Sequence, residues 1–461
     1  MMGILIQQGE IVLSDRIRKA DIFIDGEKIS RIDDNIDISE LPAETEVINA
    51  DGLYIFPGFI DAHTHYGLGD GEDRTADGFF EGSRAASFGG ITTYIDFADQ
   101  INGKTLVEGA IRRFLEAKDS VIDYTLHQGL YHMHKRIPQE LDDLKAFGIS
   151  IIKLFMTYKE FGCYLDPDYW QDLFPLCREK KIMITIHAED DDFIVELDRK
   201  YQEKNLSPGM HPYLRPAEAE SRAVLKAGKA AVLNDVPIYI VHLSSEAGMD
   251  AIRRLRNQGA KLYVETTPHY LFLTDDKLEQ IDGCNFIMTP PLRKRRDNQA
   301  LKKALVSGEI EIVATDHCSY TPARKNSFSD CRNIPSGIPG SEEMASLLYS
   351  SIVADGSIDM IRMGNVLSRN PAQIFGLYPE KGSLESGTDA DIVIFSTEIP
   401  GVFSSDNMHT SAGYTAYEGF SFSGAPIITI LRGNIIVRNG MFHGIKGQGR
   451  FLRTLESSIY Q

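Results

Sequence analysis

Ser150-Ile151-Ile152-Lys153-Leu154-Phe155 reads as a strand sealed on both faces, with a lysine where an apolar side chain should stand. A short apolar run without alternation is what a parallel strand covered on both sides requires. Working outward, seven similar runs recur at 55–62, 91–97, 121–129, 182–188, 238–244, 261–267 and 310–316, separated by helix-length segments. Eight such strands over roughly 300 residues predict an α/β fold, a closed (β/α)8 TIM-like barrel. An open doubly wound sheet is the alternative. No glycine-rich dinucleotide fingerprint follows any strand, which removes that alternative's commonest functional form.

Lys153 gives the chemistry a starting point. An enclosed ammonium is costly, so its pKa falls and the amine becomes neutral. A neutral amine is a nucleophile and takes up carbon dioxide. The product is an anionic, bidentate oxygen ligand.

Potential partners stand at the ends of the other strands. His63 and His65 lie in Phe-Ile-Asp-Ala-His-Thr-His, and residues two apart on a strand point to one side. His187 ends Met-Ile-Thr-Ile-His, His242 follows Tyr-Ile-Val, and Asp316 ends Ile-Val-Ala-Thr-Asp. Barrel enzymes keep their active sites at the strand C-termini. The set predicts a two-metal hydrolytic site. His63, His65 and Asp316 would hold one ion and His187 and His242 the other. Carboxylated Lys153 and a hydroxide would bridge the two. Asp316 would also take the hydroxide proton and hand it to the leaving nitrogen. Thiolate-free, histidine-rich ligation suits Zn2+ first, with Mn2+, Co2+ or Fe2+ as alternatives.

The ends of the chain follow another pattern. Residues 3–13, 20–26 and 28–33 alternate in strand fashion around Asp25-Gly26, and 391–395 and 427–438 do the same around Arg432-Gly433-Asn434. The two flanks are expected to join as a small β-sandwich of residues 1–56 and 378–445 around a catalytic barrel of 57–377. Residues 446–461 lack periodicity and read as a C-terminal arm or tail.

Bulk composition adds exclusions. The 461 residues are 43% hydrophobic and 25% charged, ordinary for a soluble enzyme. A net charge of −18 opposes binding to nucleic acid or anionic membrane. The five cysteines include no CxxC pair, the N-terminus has no basic leader, and no run is long enough to span a membrane. A cytoplasmic location is expected.

The chain resembles the cyclic amidohydrolases, most closely the hydantoinase/dihydropyrimidinase branch. The likeness runs from Pro-Gly-Phe-Ile-Asp-Ala-His-Thr-His through Lys-Leu-Phe-Met-Thr-Tyr-Lys, Ile-His-Ala-Glu, Tyr-Ile-Val-His-Leu-Ser, Glu-Thr-Thr-Pro-His-Tyr-Leu, Thr-Pro-Pro-Leu-Arg and Ala-Thr-Asp-His-Cys to Gly447-Gln448-Gly449. It implies ring opening of a hydantoin or 5,6-dihydropyrimidine to an N-carbamoyl amino acid. It also implies that Tyr158 steadies the oxyanion, that backbone groups near Thr289 and Ser336 bind the amide edge of the ring, and that the chain forms a homotetramer. Two positions depart from the branch: Thr289 stands where serine is usual, and Ser336 precedes Gly337 where asparagine is usual.

The loops after His65 and Lys153 should wall the exocyclic substituent, with Leu68, Met156, Phe161 and Tyr164 as candidates. Dihydroorotases often carry an arginine just after the HxH pair, whereas Tyr66 and Gly67 stand here. Allantoinase is the runner-up activity. A non-catalytic, dihydropyrimidinase-like assembly protein should lack a metal ligand, and all six are present. His127, His132, His134 and His269 read as packing residues, and His317 should point away from Asp316.

Overall fold

Valine, isoleucine and aromatic runs flanked by helices build the centre of the chain, as buried parallel strands require. In this computed structural model, residues 3–201, 205–454 and 456–460 are described. Met1 and Met2 of the expected N-terminal flank, and Leu455 and Gln461 of the expected arm, lie outside the described residues. The first strands are β1 (Ile4–Val12), β2 (Ile17–Asp25), β3 (Lys28–Asp33), β4 (Glu46–Asn49) and β5 (Tyr54–Pro57). The central ones are β6 (Phe59–Asp61), β7 (Ile91–Ala98), β8 (Asp123–Gly129), β9 (Ile151–Phe155), β10 (Met183–His187), β11 (Ile238–Ile240), β12 (Leu262–Thr266) and β13 (Ile312–Val313). The last are β14 (Ile392–Ser396), β15 (Gly401–Val402), β16 (Ser421–Phe422), β17 (Ala425–Leu431), β18 (Asn434–Arg438) and β19 (Met441–Phe442).

β6 to β13 pair side by side in chain order, all parallel. A parallel bridge between Thr64 and His317 joins the two ends, and the His65 N–H donates to the His317 carbonyl at 2.8 Å. The eight strands thus form the expected (β/α)8 barrel. Alternation sorts their side chains. Ile151, Met183, Tyr239, Val241 and Ile312 pack together inside, whereas Ile152, Leu154, Ile184, Ile186, Ile238 and Ile240 join the outer core. Lys153 therefore points inward, above Ile151 and beside Thr185 of β10.

Three expected strands come out shorter, for local reasons. The run 55–62 breaks at Gly58, whose N–H donates to the Asp391 carbonyl at 2.8 Å. A Cβ at Gly58 would meet Thr92 Oγ1 at 2.0 Å. β5 on one side of this break joins the flanking sheet, and β6 on the other joins the barrel. The runs 238–244 and 310–316 give strands only over Ile238–Ile240 and Ile312–Val313, and beyond those ends His242 and Asp316 adopt φ of +37° and +51°.

The flanks form the expected sandwich from one nine-stranded sheet in the order β19-β18-β17-β14-β5-β1-β2-β3, with β4 paired to β1. A bulge between Ile6 and Gly9 bends β1, so β4 takes its first half and β5 its second. Isoleucines 4, 6, 22, 24, 29, 55, 392, 394, 428 and 430 meet in one buried core, which curls the sheet over itself. A charged seam ties sheet to barrel: Lys381 Nζ lies 2.7 Å from Asp123, 3.0 Å from Asp389 and 2.6 Å from Asp391, and Arg432 also pairs with Asp123. Within the expected arm, Arg450 and Leu452 hydrogen-bond the backbone of Tyr124 at 2.9 and 2.7 Å, so this stretch lies on its own barrel. Among the described residues, no helix is long and apolar enough to cross a membrane. All five cysteines are free thiols.

Candidate metal centre and its surroundings

The strand ends bring the expected ligands together. Asp316 Oδ1 lies 3.3 Å from His63 Nε2 and 3.1 Å from His65 Nε2. The His63 ring is centred 5.1 Å from His65 and 5.3 Å from His242, and His187 is 4.5 Å from His242. Ligand atoms of His63, His242 and Asp316 all fall within 4.8 Å of one another. Lys153 is 1% exposed, and its Nζ lies 4.9 Å from the Phe97 ring centre and 5.0 Å from that of Phe155. Tyr158, His242 and Asp316 all have left-handed backbone, with φ of +72°, +37° and +51°. Such conformations cost energy for non-glycine residues and persist where the surroundings hold them. Here they turn three side chains toward one mouth.

Burial sets the protonation states. It pushes the Lys153 ammonium down to about 7, against the pull of Glu265 and Asp316. It also holds His63 and His242 well below the usual imidazole range, so both offer lone pairs at neutral pH. His187 is lowered by burial, with Glu189 opposing.

The donor set fits a divalent cation. Burial pushes the Glu265 carboxyl up to about 8, so its ionised form calls for positive charge close by; ionised, it accepts from His63 Nδ1 at 2.8 Å, the Tyr239 hydroxyl at 2.8 Å and the His242 N–H at 3.0 Å. His63 Nε2 is then left with a lone pair facing the Asp316 oxygen. Two acceptors at that distance repel unless a cation lies between them. His242 Nδ1 is buried without a hydrogen-bond partner among the described residues. Neutral imidazoles and a carboxylate are the ligands that zinc and its neighbours take.

The substrate side is assembled from loops. Thr289 Oγ1 and Ser336 Oγ are 3.0 Å apart, and the Gly337 N–H donates to the Ile287 carbonyl at 3.0 Å. Gly337 has φ of +141°, and a Cβ there would meet the Cys318 carbonyl at 2.3 Å. Burial holds the Tyr158 hydroxyl well above its ordinary pKa. Tyr158 therefore stays protonated as a donor.

Lys325 braces this loop from behind. It is fully buried and donates to the carbonyls of Asn285 at 3.1 Å and Ile287 at 2.7 Å. Each carbonyl has a second donor, the Tyr414 hydroxyl and the Gly337 N–H. Burial pushes Lys325 down to about 7. The native state thus gives up this proton near neutrality and the unfolded state only near about 10.4. Between these values the unfolded chain binds more protons, so this residue makes stability rise with pH, by at most about 1.4 kcal/mol per unit. Lys325→Met removes that slope. Denaturant melts at pH 6.5 and 9 should show wild type gaining on the variant as pH rises; parallel behaviour would contradict the burial argument.

The candidate wall residues divide. Leu68 and Tyr164 are half-buried in the loops that follow His65 and Lys153, and Phe161 is 72% exposed. The Met156 N–H donates to the His187 carbonyl at 3.1 Å, but its side chain is not brought to the imidazoles. By strand alternation it faces outward into the core, where with Tyr164 it lines a crevice against Asp190, Asp191 and Asp192. His127 lies inside the barrel, stacked 4.6 Å from Phe97, and its Nε2 donates to the Ala62 carbonyl at 3.1 Å, while His132 and His134 are exposed. His269 is buried, with Nε2 unpartnered among the described residues. His317 donates from Nε2 to Asp77 at 3.0 Å, away from Asp316 as alternation requires.

Three supporting residues escaped the sequence reading. Glu265 interrupts the apolar run Leu-Tyr-Val-Glu-Thr as Lys153 interrupts its own, so the same signal would have found it. Glu189 was visible only as part of Ile-His-Ala-Glu. Arg215 follows the helix His211–Leu214, and nothing local in the sequence marks it.

A sequence profile of the Amidohydrolase family matches residues 54–436. The chain belongs to the amidohydrolase family. The D-phenylhydantoinase of Escherichia coli is 36% identical over 461 residues, covering 98% of each chain. The crystal structure of dihydropyrimidinase from Brevibacillus agri superposes with a TM-score of 0.95 at 32% identity, covering 99% of both chains. That of D-hydantoinase (dihydropyrimidinase) from Thermus sp. gives 0.94 at 33% identity, covering 99% of this chain and 100% of its own. Within the family, the chain is a cyclic amidohydrolase of the hydantoinase/dihydropyrimidinase branch.

Proposed function

We propose that this enzyme opens a hydantoin or 5,6-dihydropyrimidine ring to the N-carbamoyl amino acid, using two divalent ions at the barrel mouth. The observation that carries the reading is the convergence of His63, His242 and Asp316 at the C-terminal end of the barrel. His63, His65 and Asp316 would hold one ion, His187 and His242 the other, and carboxylated Lys153 both. Zn2+ is the first choice. When bound, such ions polarise a carbonyl and make hydroxide available at neutral pH.

The chain's own residues supply the remaining steps. Groups around Thr289 and Ser336 hold the amide edge of the ring. The Tyr158 hydroxyl donates to the carbonyl oxygen as negative charge builds on it. Asp316 accepts the proton of the attacking water and returns it to the ring nitrogen as the C–N bond breaks. Water is added across that bond, so atoms balance. Leu68, Phe161 and Tyr164 would border the substituent, and an apolar wall tolerates changes of a methylene. We take the catalytic unit as residues 57–377, supported by the sandwich of 1–56 and 378–445, with 446–461 as an arm in a cytoplasmic homotetramer.

The test offers hydantoin, dihydrouracil, allantoin and dihydroorotate side by side to metal-replete protein. Hydantoin or dihydrouracil should be opened fastest. Preference for allantoin would replace the substrate assignment, and inertness toward all four would favour a non-catalytic role.

A further inference from the structure

One guanidinium joins the two chemical sides of the mouth. Arg215 Nη2 donates to Glu189 Oε2 at 2.8 Å and to Thr157 Oγ1 at 3.1 Å, and Nε reaches both Glu189 oxygens at 3.2 and 3.3 Å. Its guanidinium carbon lies 5.3 Å from the centre of the Tyr158 ring. Glu189 in turn lies 2.8 Å from His187 Nε2. The group is nearly enclosed, with side-chain exposures of 11% for Arg215 and 0% for Glu189. It is also fixed from behind. The Arg215 carbonyl accepts from Arg293 Nη1 at 2.5 Å, Arg293 Nε donates to Ser244 Oγ at 3.0 Å, and Ser244 Oγ donates to Glu220 at 2.7 Å.

This arrangement has a definite chemical effect. A carboxylate locked against a guanidinium only accepts hydrogen bonds. His187 must then carry its proton on Nε2 and keep its lone pair on Nδ1. Orientation and tautomer of a ligating imidazole are commonly set in this way from outside the ligand shell. On its other side, the same guanidinium lies against the Tyr158 ring and holds Thr157, the residue before the left-handed turn at Tyr158.

We infer that Arg215 is a positioning residue that fixes the His187 tautomer and the Tyr158 donor together, touching neither substrate nor ion. This rests on the functional reading above.

The test titrates Co2+ into metal-free protein and follows visible absorption, beside kcat and KM for hydantoin. Wild type should take two ions per chain and turn over; if it does neither, the functional reading fails and the inference goes with it. Arg215→Met should weaken one ion by about tenfold to a hundredfold, leave the other near wild type, and lower kcat with little change in KM. Arg215→Lys keeps the charge without the fork and should restore part of the loss. If Arg215→Met does not fold, Glu189→Gln, near-isosteric and uncharged, should show the same selective weakening because its amide can donate or accept. A functional wild type whose variants bind Co2+ and turn over normally would overturn the inference alone. Equal weakening of both ions would do the same, since it would mark general loosening.

Discussion

Lys153→Ala should empty at least one ion position and lower turnover by a thousandfold or more. Two cations stabilise the developing charge by several kcal/mol, and about 4 kcal/mol corresponds to that factor. β9 pairs with β10, so an inward side chain on β9 stands beside the strand that ends in His187. Lys153 has that parity, and burial makes its amine available to carbon dioxide near neutral pH. Removing the ammonium relieves a buried charge, so the metal-free variant should remain folded, and lost activity would report on the site. Metal analysis and kcat provide the check, with 13C-bicarbonate labelling of wild type to detect the carbamate carbon. Full metal content with retained turnover would exclude the bridging role.

Asp316→Asn should cost about a hundredfold to ten-thousandfold in kcat/KM, the range for loss of a positioned general acid–base group. The substitution is clean for a conformational reason. Asp316 has φ of +51°, and asparagine tolerates left-handed backbone as well as aspartate does. The turn that carries the side chain should survive while its proton acceptor disappears. The amide also loses the negative charge that lies near the His63 and His65 imidazoles. Metal content at the His63–His65 position should therefore fall as well. A variant within tenfold of wild type, with unchanged metals, would remove Asp316 from the proton path.

The sequence revealed most of the barrel because its strands are buried on both faces. Their apolar runs leave few other readings, and any ionisable residue within them stands out. Lys153 is legible in this way, and Glu265 carries the same signal. The ends of the strands were less legible. His242 and Asp316 turn into left-handed backbone, which aspartate and histidine enter more often than most residues but still only as a minority, so residue type alone does not mark the turn. Gly58 was obscured for a related reason: an uninterrupted apolar stretch gives no sign that its two halves join different sheets. The place of Met156 in the loop after Lys153 suggests a wall residue, but strand alternation carries through it and turns its side chain into the outer core. Arg215 could not be found locally, because Thr157, Glu189 and Tyr158 approach it only in the folded chain.

The pairing of β5 with β14 also bears on biogenesis. β5 is finished by residue 57, whereas its partner begins at residue 392. During translation one edge of β5 must wait while more than two-thirds of the polypeptide leaves the ribosome. An unpaired strand edge is a template for unwanted association. Nascent chains that halt before β14 is made are therefore the species most in need of a chaperone.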